Sequence, residues 1–171
     1  MTTASATSTQ LSLQRSQGSK AYQGILLGGV IAGTLDITAA FVDSGLHGRS
    51  PVVVLQAVAS GFLGESSFRD GLASEALGLG SHFLIAFGAA TVYYMASRKL
   101  KFLLERPIIG GLLYGIAIYL FMNAVVVPLS AVPFKLSHSP MAVMIGLAVH
   151  MLCIGLPISL AVRGFSNGPS Q

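Results

Sequence analysis

Charged residues and cysteine are scarce in this chain of 171 residues. Asp, Glu, Lys and Arg together make up 9% of the sequence, whereas hydrophobic residues make up 53%, and the mean hydropathy is +0.73. A soluble domain of this composition would lack the polar surface needed to cover its core, so the composition indicates an integral membrane protein. The single cysteine, Cys153, excludes a disulfide framework and a thiolate metal cluster.

The sequence also lacks the short motifs that carry known enzyme chemistry. It contains no G-x-S-x-G, H-E-x-x-H, G-x-x-x-x-G-K-[ST] or C-x-x-C pattern. We therefore expect no enzymatic activity, no catalytic residues, no metal site and no cofactor. The net charge of +4 is explained by basic clusters that orient membrane helices, so nucleic acid is not an expected partner.

Four apolar stretches take up much of the chain: residues 24–42, 77–97, 107–127 and 140–162. An α-helix rises about 1.5 Å per residue, so stretches of about 19 to 23 residues match a hydrocarbon core of about 30 Å. The sequence therefore predicts an all-α fold, an integral membrane four-helix bundle.

A shorter apolar stretch at residues 51–64 does not fit this pattern. It is too short for an ordinary crossing and contains the polar residues Gln56 and Ser60. Pro51 follows Ser50, an order typical of a helix N-terminus. We predict a short helix on the outer side of the membrane. Both a re-entrant helix lining a cavity and an interfacial helix lying on the outer leaflet remain open.

Basic residues predict the orientation. The N-terminal tail, the loop between the second and third stretches, and the C-terminus carry seven Lys and Arg residues, against three in the other two loops. The positive-inside rule then places both termini in the cytoplasm, as in a multi-pass protein of the bacterial inner membrane. Residues 1–23, rich in Ser, Thr and Gln, are expected to be a disordered cytoplasmic tail. The transmembrane domain would cover residues 24–163, followed by a cytoplasmic tail at 164–171.

A pattern of glycines and a histidine occurs twice. The first stretch contains Gly28-Gly29-x-x-x-Gly33 and the third contains Gly110-Gly111-x-x-x-Gly115, while His82 and His150 lie in the second and fourth. This indicates two helical hairpins repeated in parallel about an axis along the membrane normal. Glycines four residues apart let helix backbones approach closely. The predicted helix-packing residues are Gly29, Gly33, Gly111 and Gly115.

Polar residues inside the predicted spans are functional candidates, because ionisable groups are costly in a bilayer. They are Asp36, His82, Asn123 and His150. Asp36 and His82 lie at similar depth on neighbouring helices, so we predict that they pair. The pair is either a proton relay, since each group can hold a proton, or a static hydrogen bond between helices. Haem ligation by His82 and His150 is disfavoured because their depths differ.

Several short fragments also occur in a known family. They are Ala-Gly-Thr-Leu-Asp at 32–36, Ser-His-Phe at 81–83, Val-Pro-Leu-Ser at 127–130 and a histidine in the fourth span. With the spacing of the spans, they resemble the YagU-like family of small, uncharacterised four-span bacterial inner-membrane proteins. The resemblance implies a location and a topology, and it carries over no functional residue.

Two functions fit these features. The glycine pattern predicts a structural, assembly or stress-associated membrane protein whose partners are the lipid bilayer and a further copy of itself in a homo-oligomer. The alternative is a proton-linked small-solute carrier or channel that uses Asp36 and His82.

Overall fold

The computed structural model describes residues 2–135 and 139–166, with side chains described from Lys20 onward. Every element within these residues is helical. The helices are α1 (Thr2–Leu46), α2 (Pro51–Leu63, followed by a 3₁₀ turn at Gly64–Phe68), α3 (Leu72–Lys99), α4 (Phe102–Glu105), α5 (Pro107–Leu129) and α6 (Pro140–Ser166). The prediction of an all-α fold is therefore confirmed.

Five helices are long and apolar enough to cross a membrane. They cover Lys20–Leu46, Pro51–Phe68, Leu72–Lys99, Pro107–Leu129 and Pro140–Ser166. Four contain the four predicted spans and extend most of them by a few residues. The fifth begins at Pro51, as predicted for the short helix, and reaches spanning length because the 3₁₀ turn continues it to Phe68.

Helix α1 begins earlier than the sequence predicts. The expected disordered tail covers residues 1–23, whereas the structure continues α1 back to Thr2. This tail contains no proline and one glycine, Gly18, so little in it interrupts a helix. Extending a helix that the apolar stretch has already nucleated costs far less than starting a new one.

The four longest helices form an antiparallel bundle. Gly33 of α1 lies beside Phe83 of α3, and Gly28 of α1 lies beside Ile158 of α6, so both neighbours of α1 run opposite to it. Helix α5 packs antiparallel to α6, with Gly115 beside Met151. The C-terminal ends of α1 and α5 therefore lie at the same end of the bundle as the N-terminal ends of α3 and α6.

The two hairpins, α1 with α3 and α5 with α6, pair in the same register. Their equivalent contacts are Gly29 with Phe87 and Gly33 with Phe83 in the first, and Gly111 with Gly155 and Gly115 with Met151 in the second. The contacting residues differ: aromatic rings cover the glycines of α1, whereas the backbone of α6 covers those of α5. Helix α2 lies in the connection of the first hairpin, as an insertion into the repeat.

Tyrosine side chains fill the space between α3 and α5. The rings of Tyr93 and Tyr114 lie edge to face with their centroids 5.0 Å apart. The Tyr114 hydroxyl donates to the carbonyl oxygen of Ala89 at 2.7 Å, and the Tyr93 hydroxyl donates to that of Leu103 at 3.0 Å. Buried Tyr93 joins small residues of α1 and α3 and aliphatic residues of α6 in the core. This packing holds together the half of the bundle farther from α2.

Both ends of α2 lie at one end of the bundle. Its start follows directly on the end of α1, where the Arg49 amide donates to the Ser44 carbonyl at 2.9 Å. Near its end, the Gly61 carbonyl accepts from the amide of Ala131, just beyond α5, at 2.9 Å. Between these points α2 packs on α3, where Gly78 lies against the backbone of Leu55. Helix α2 thus lies across this end, which we call the α2 end.

Candidate functional site

Asp36 is the acidic residue of the candidate site, and it lies between α3 and α6. Its side chain is partly buried. The carboxylate interacts electrostatically with His150 of α6 and with His82 of α3. The sequence predicts His82 as its partner. The structure adds His150 as a second neighbour, which lines the same groove as Asp36.

His82 donates a hydrogen bond to the backbone of α1. Its ring Nε2 lies 2.8 Å from the carbonyl oxygen of Gly33. A carbonyl oxygen only accepts, so Nε2 carries the hydrogen, and in the neutral ring Nδ1 is left as an acceptor. No hydrogen bond joins His82 to Asp36 among the residues described here. His82 therefore fixes α3 to α1 one turn away from the carboxylate.

His150 presents the opposite nitrogen. Its Nδ1 donates to the carbonyl oxygen of Gly146 at 2.9 Å, which leaves Nε2 as the acceptor of the neutral ring. The ring also lies edge to face with Tyr119 of α5, at a centroid distance of 5.4 Å. The imidazole is thus held by its own helix and by α5, with Nε2 available for proton exchange.

A π-helical segment places His150. Helix α6 is π-helical from His150 to Gly155 and returns to α-helix at Leu156. The sequence predicts a free acceptor or a kink here, because Pro157 cannot donate to the carbonyl of Cys153. A wider turn is a common way to accommodate such a missing donor, and it is frequent at functional sites. Helix α5 carries a matching π segment at Met122–Val126, just before Pro128.

Asn123 is the predicted residue that does not join this group. Its side-chain amide donates to the carbonyl oxygen of Tyr119, one turn back on its own helix, at 2.9 Å. Its side chain does not line the groove between α1 and α6 that contains Asp36 and His150. The structure therefore brings together three of the four predicted polar residues: Asp36, His82 and His150.

An open groove of about 500 Å³ lies between α1 and α6. We call it the polar groove. Its polar lining residues are Asp36 and His150 at its inner end and Asp43, His47, Arg49 and Ser139 at its mouth. Alanines and aliphatic residues of both helices form its walls. The mouth lies at the α2 end, so the groove runs from there to the Asp36 carboxylate.

The mouth residues were not among the predicted site residues. Asp43 and His47 stand seven and eleven positions after Asp36, which places Asp36 and Asp43 on one face of α1 and His47 just beyond its end on the same side. This spacing is the sequence pattern that could have identified the mouth residues. The Asp43 carboxylate lies 3.8 Å from Nδ1 of His47, an ion pair when the imidazole is protonated.

Beyond Asp36, the groove ends where α1 and α6 meet closely. A Cβ atom at Gly28 would lie 3.3 Å from Cα of Ile158, and one at Gly24 would lie 3.3 Å from Cα of Val162. These two glycines let α1 approach the backbone of α6. Gly28 belongs to the repeated glycine pattern, but neither glycine was predicted as a helix-packing residue. The predicted Gly29 and Gly33 face α3 instead. The inner end of the polar groove is therefore closed.

A second, larger cavity of about 1,080 Å³ lies beneath α2, between α3 and α5. We call it the apolar cavity. Its lining is mainly aliphatic and aromatic, including Val54, Val58, Ile85, Met122 and Val126. Its polar lining residues are Asp43, Ser44, Arg49, Ser81 and Ser130. The two cavities flank the last turns of α1.

Similarity to other proteins gives this site no assigned role. No family model, curated protein or solved structure matches the chain. Within the described residues, no group of three or more His, Cys, Asp or Glu side chains is placed to hold a metal ion. The carboxylate and the imidazoles of the site can bind protons, exchange protons and form hydrogen bonds.

Proposed function

We propose that this chain is a multi-pass protein of the bacterial inner membrane, with α1, α3, α5 and α6 as its four crossings. The antiparallel packing of these apolar helices supports the proposal. Helix α2 would lie on the outer side, because both of its ends are at one end of the bundle and a crossing would separate them. The basic residues Arg98, Lys99, Lys101 and Arg106 then lie on the cytoplasmic side. The resemblance to the YagU-like family implies the same topology.

Within that topology, we propose a proton-linked small-solute carrier or channel. The observation that carries the proposal is the polar groove, which leads from the outer end of the bundle to Asp36 and His150. An ionisable residue at membrane depth is costly unless water or a partner reaches it, and such residues mark proton and solute pathways. Asp36 would bind the proton, and Nε2 of His150 would exchange it with water in the groove.

The closed inner end of the groove corresponds to an outward-facing state. Transport would require α1 and α6 to separate near Gly24 and Gly28 while the groove closes between Asp36 and the α2 end. The π segment at His150–Gly155 gives α6 a place to bend, because its backbone is not held by a regular α-helical ladder there. His82 would keep α1 and α3 together during this movement through its bond to Gly33.

A structural, assembly or stress-associated role is the second candidate, and a separate observation favours it. Gly111 and Gly115 bring the backbones of α5 and α6 into direct contact along more than one turn. Such contacts stabilise helix association in lipid without any ligand. In this role the interactions of Asp36 with the histidines would be static, and the protein would need no movement.

Proton flux separates the two candidates. We would reconstitute the protein in vesicles that contain a pH-sensitive dye, impose a proton gradient and compare wild type with Asp36→Asn. The amide keeps the size of the carboxyl group but cannot exchange its proton, so flux should fall to the level of empty vesicles. Asp43→Asn at the mouth is the matched control and should retain most of the flux.

Two results would contradict the carrier. One is equal flux in Asp36→Asn and wild type, which removes the carboxylate from the pathway. The other is a wild type that carries no more flux than empty vesicles at any gradient, which favours the structural role.

A further inference from the structure

The apolar cavity is large enough for a ligand and is unlike the polar groove in its lining. Its volume of about 1,080 Å³ slightly exceeds the range of about 300 to 1,000 Å³ found for ligand sites. Side chains of α2, α3 and α5 form an apolar wall around it, and hydroxyl and charged groups are few. A molecule that fills it must be mainly hydrocarbon.

The rim of this cavity is apolar and exposed. Phe62 is 69% exposed, Leu129 is 83% exposed and Phe134 is 41% exposed, and all three line the cavity. Exposed apolar side chains around an opening mark a contact with lipid or a partner. In the proposed topology, on which this inference rests, they face the outer leaflet. An occupant would therefore enter sideways from the bilayer.

One cation lies beside this opening. Arg49 is the only Lys or Arg among the lining residues, and its guanidinium forms no ion pair within residues 20–135 and 139–166. The nearby Asp43 carboxylate faces His47 at 3.8 Å. Arg49 follows the end of α1, at the depth where lipid headgroups of the outer leaflet would lie. A guanidinium is well suited to bind a phosphate through paired hydrogen bonds.

We propose that the apolar cavity binds an anionic phospholipid of the outer leaflet, with one acyl chain beneath α2 and the phosphate at Arg49. The apolar lining and the exposed apolar rim favour an acyl chain over a polar solute. The Arg49 guanidinium favours a headgroup of net negative charge, because the cation of a zwitterionic headgroup offsets its phosphate. Helix α2 would then act as the cover of a lipid site, which explains why an apolar helix lies across the end of the bundle.

Tryptophan fluorescence tests this site, because the chain contains no tryptophan of its own. Phe68 lines the cavity and contacts Phe134 edge to face, so Phe68→Trp places a reporter at the acyl chain. Phe121→Trp is the control, because Phe121 is 53% exposed on α5 and does not line the cavity. Each variant is reconstituted with phosphatidylglycerol or phosphatidylcholine brominated on the acyl chains, each diluted in unlabelled phosphatidylcholine.

We expect Phe68→Trp to be quenched at about fivefold lower mole fraction by brominated phosphatidylglycerol than by brominated phosphatidylcholine, and Arg49→Gln to abolish this preference. The Phe121→Trp control should be quenched equally by both lipids.

Equal quenching of Phe68→Trp by both lipids, or a preference that survives Arg49→Gln, would overturn the proposal. Absence of quenching at Phe68→Trp would mean that protein covers the cavity, as in contact with a second copy. If the Phe121→Trp control is itself unquenched, the proposed membrane topology is wrong instead.

Discussion

The polar groove and the apolar cavity lie on two sides of the same turns of α1, yet their linings differ. Both include Ala40, Asp43 and Arg49. The groove between α1 and α6 continues inward to Asp36 and His150, whereas the cavity between α3 and α5 is enclosed by aliphatic and aromatic side chains. In the proposed topology, one bundle end would present a site for water and a site for lipid, separated by a single helix.

The packing of the bundle explains why both cavities open at the same end. Farther from α2, glycines hold α1 against α6 and tyrosines fill the space between α3 and α5. Toward the α2 end, two spaces remain between the helices: the polar groove and the apolar cavity. Helix α2 packs on α3 and covers the apolar cavity, whereas the polar groove is lined by α1, α6 and the residue Arg49.

The largest effect is expected from breaking the packed region that supports both cavities. Gly115→Leu would place a side chain against the backbone of α6, since even a Cβ atom there would lie 2.5 Å from Cα of Met151. Overpacking of this kind costs about 1 to 3 kcal/mol. Thermal unfolding in detergent should show a clear loss of stability.

The control for this variant is Gly88→Leu on α3. Nothing lies within 4 Å of a Cβ atom at Gly88, so the new side chain meets no protein atoms and should leave stability unchanged or slightly higher. Equal melting temperatures for Gly115→Leu and wild type would mean that α5 and α6 do not pack as described.

A pair of filling variants should separate the two cavities. Ala142→Phe places a ring in the polar groove and should reduce proton flux severalfold without affecting lipid preference at Phe68→Trp. Ala57→Phe places a ring in the apolar cavity and should have the reverse effects. Each variant thus serves as the control for the other. If either variant changes proton flux and lipid preference equally, the two cavities do not act independently.

The smallest effect is expected at the mouth of the polar groove. The His47 and Asp43 side chains are 61% and 49% exposed, and such pairs contribute about 0.2 to 1 kcal/mol at most. His47→Gln should therefore leave thermal stability nearly unchanged. A loss comparable to that of Gly115→Leu would assign His47 a structural role that its exposure does not explain.

The long helices could be predicted from the sequence because the length of an apolar stretch is a local property. The Pro51 start of α2 was also predicted, since Ser50 and Pro51 form a local signal. Its place at one end of the bundle follows the predicted outer-side helix. Its contact with the end of α5 could not be predicted, because that contact joins Gly61 and Ala131, which are far apart in sequence.

The partners of Asp36 also depend on contacts between residues that are far apart in sequence. Depth along the helices favoured His82, which lies on the next long helix in the sequence. Which helices surround α1 is a tertiary property, and α6 proves to be its other neighbour. The repeat contained the missing signal, because it makes His82 and His150 equivalent positions of two hairpins. Glycine patterns likewise located close contacts but did not say which helix each would face.

Thiol accessibility in the membrane tests most directly whether water in the polar groove reaches the level of Asp36. In a Cys153→Ser background, Ala39→Cys places a thiol in the groove, and Thr38→Cys places one at nearly the same depth on the exposed surface of α1. A charged, membrane-impermeant thiosulfonate reacts only with thiols that water reaches. Added from the outer side, it should label the thiol at position 39 at least about tenfold faster than that at 38, because a charged reagent is strongly excluded from hydrocarbon. Equal, slow labelling at both positions would contradict a water-filled groove and leave Asp36 as a buried structural residue.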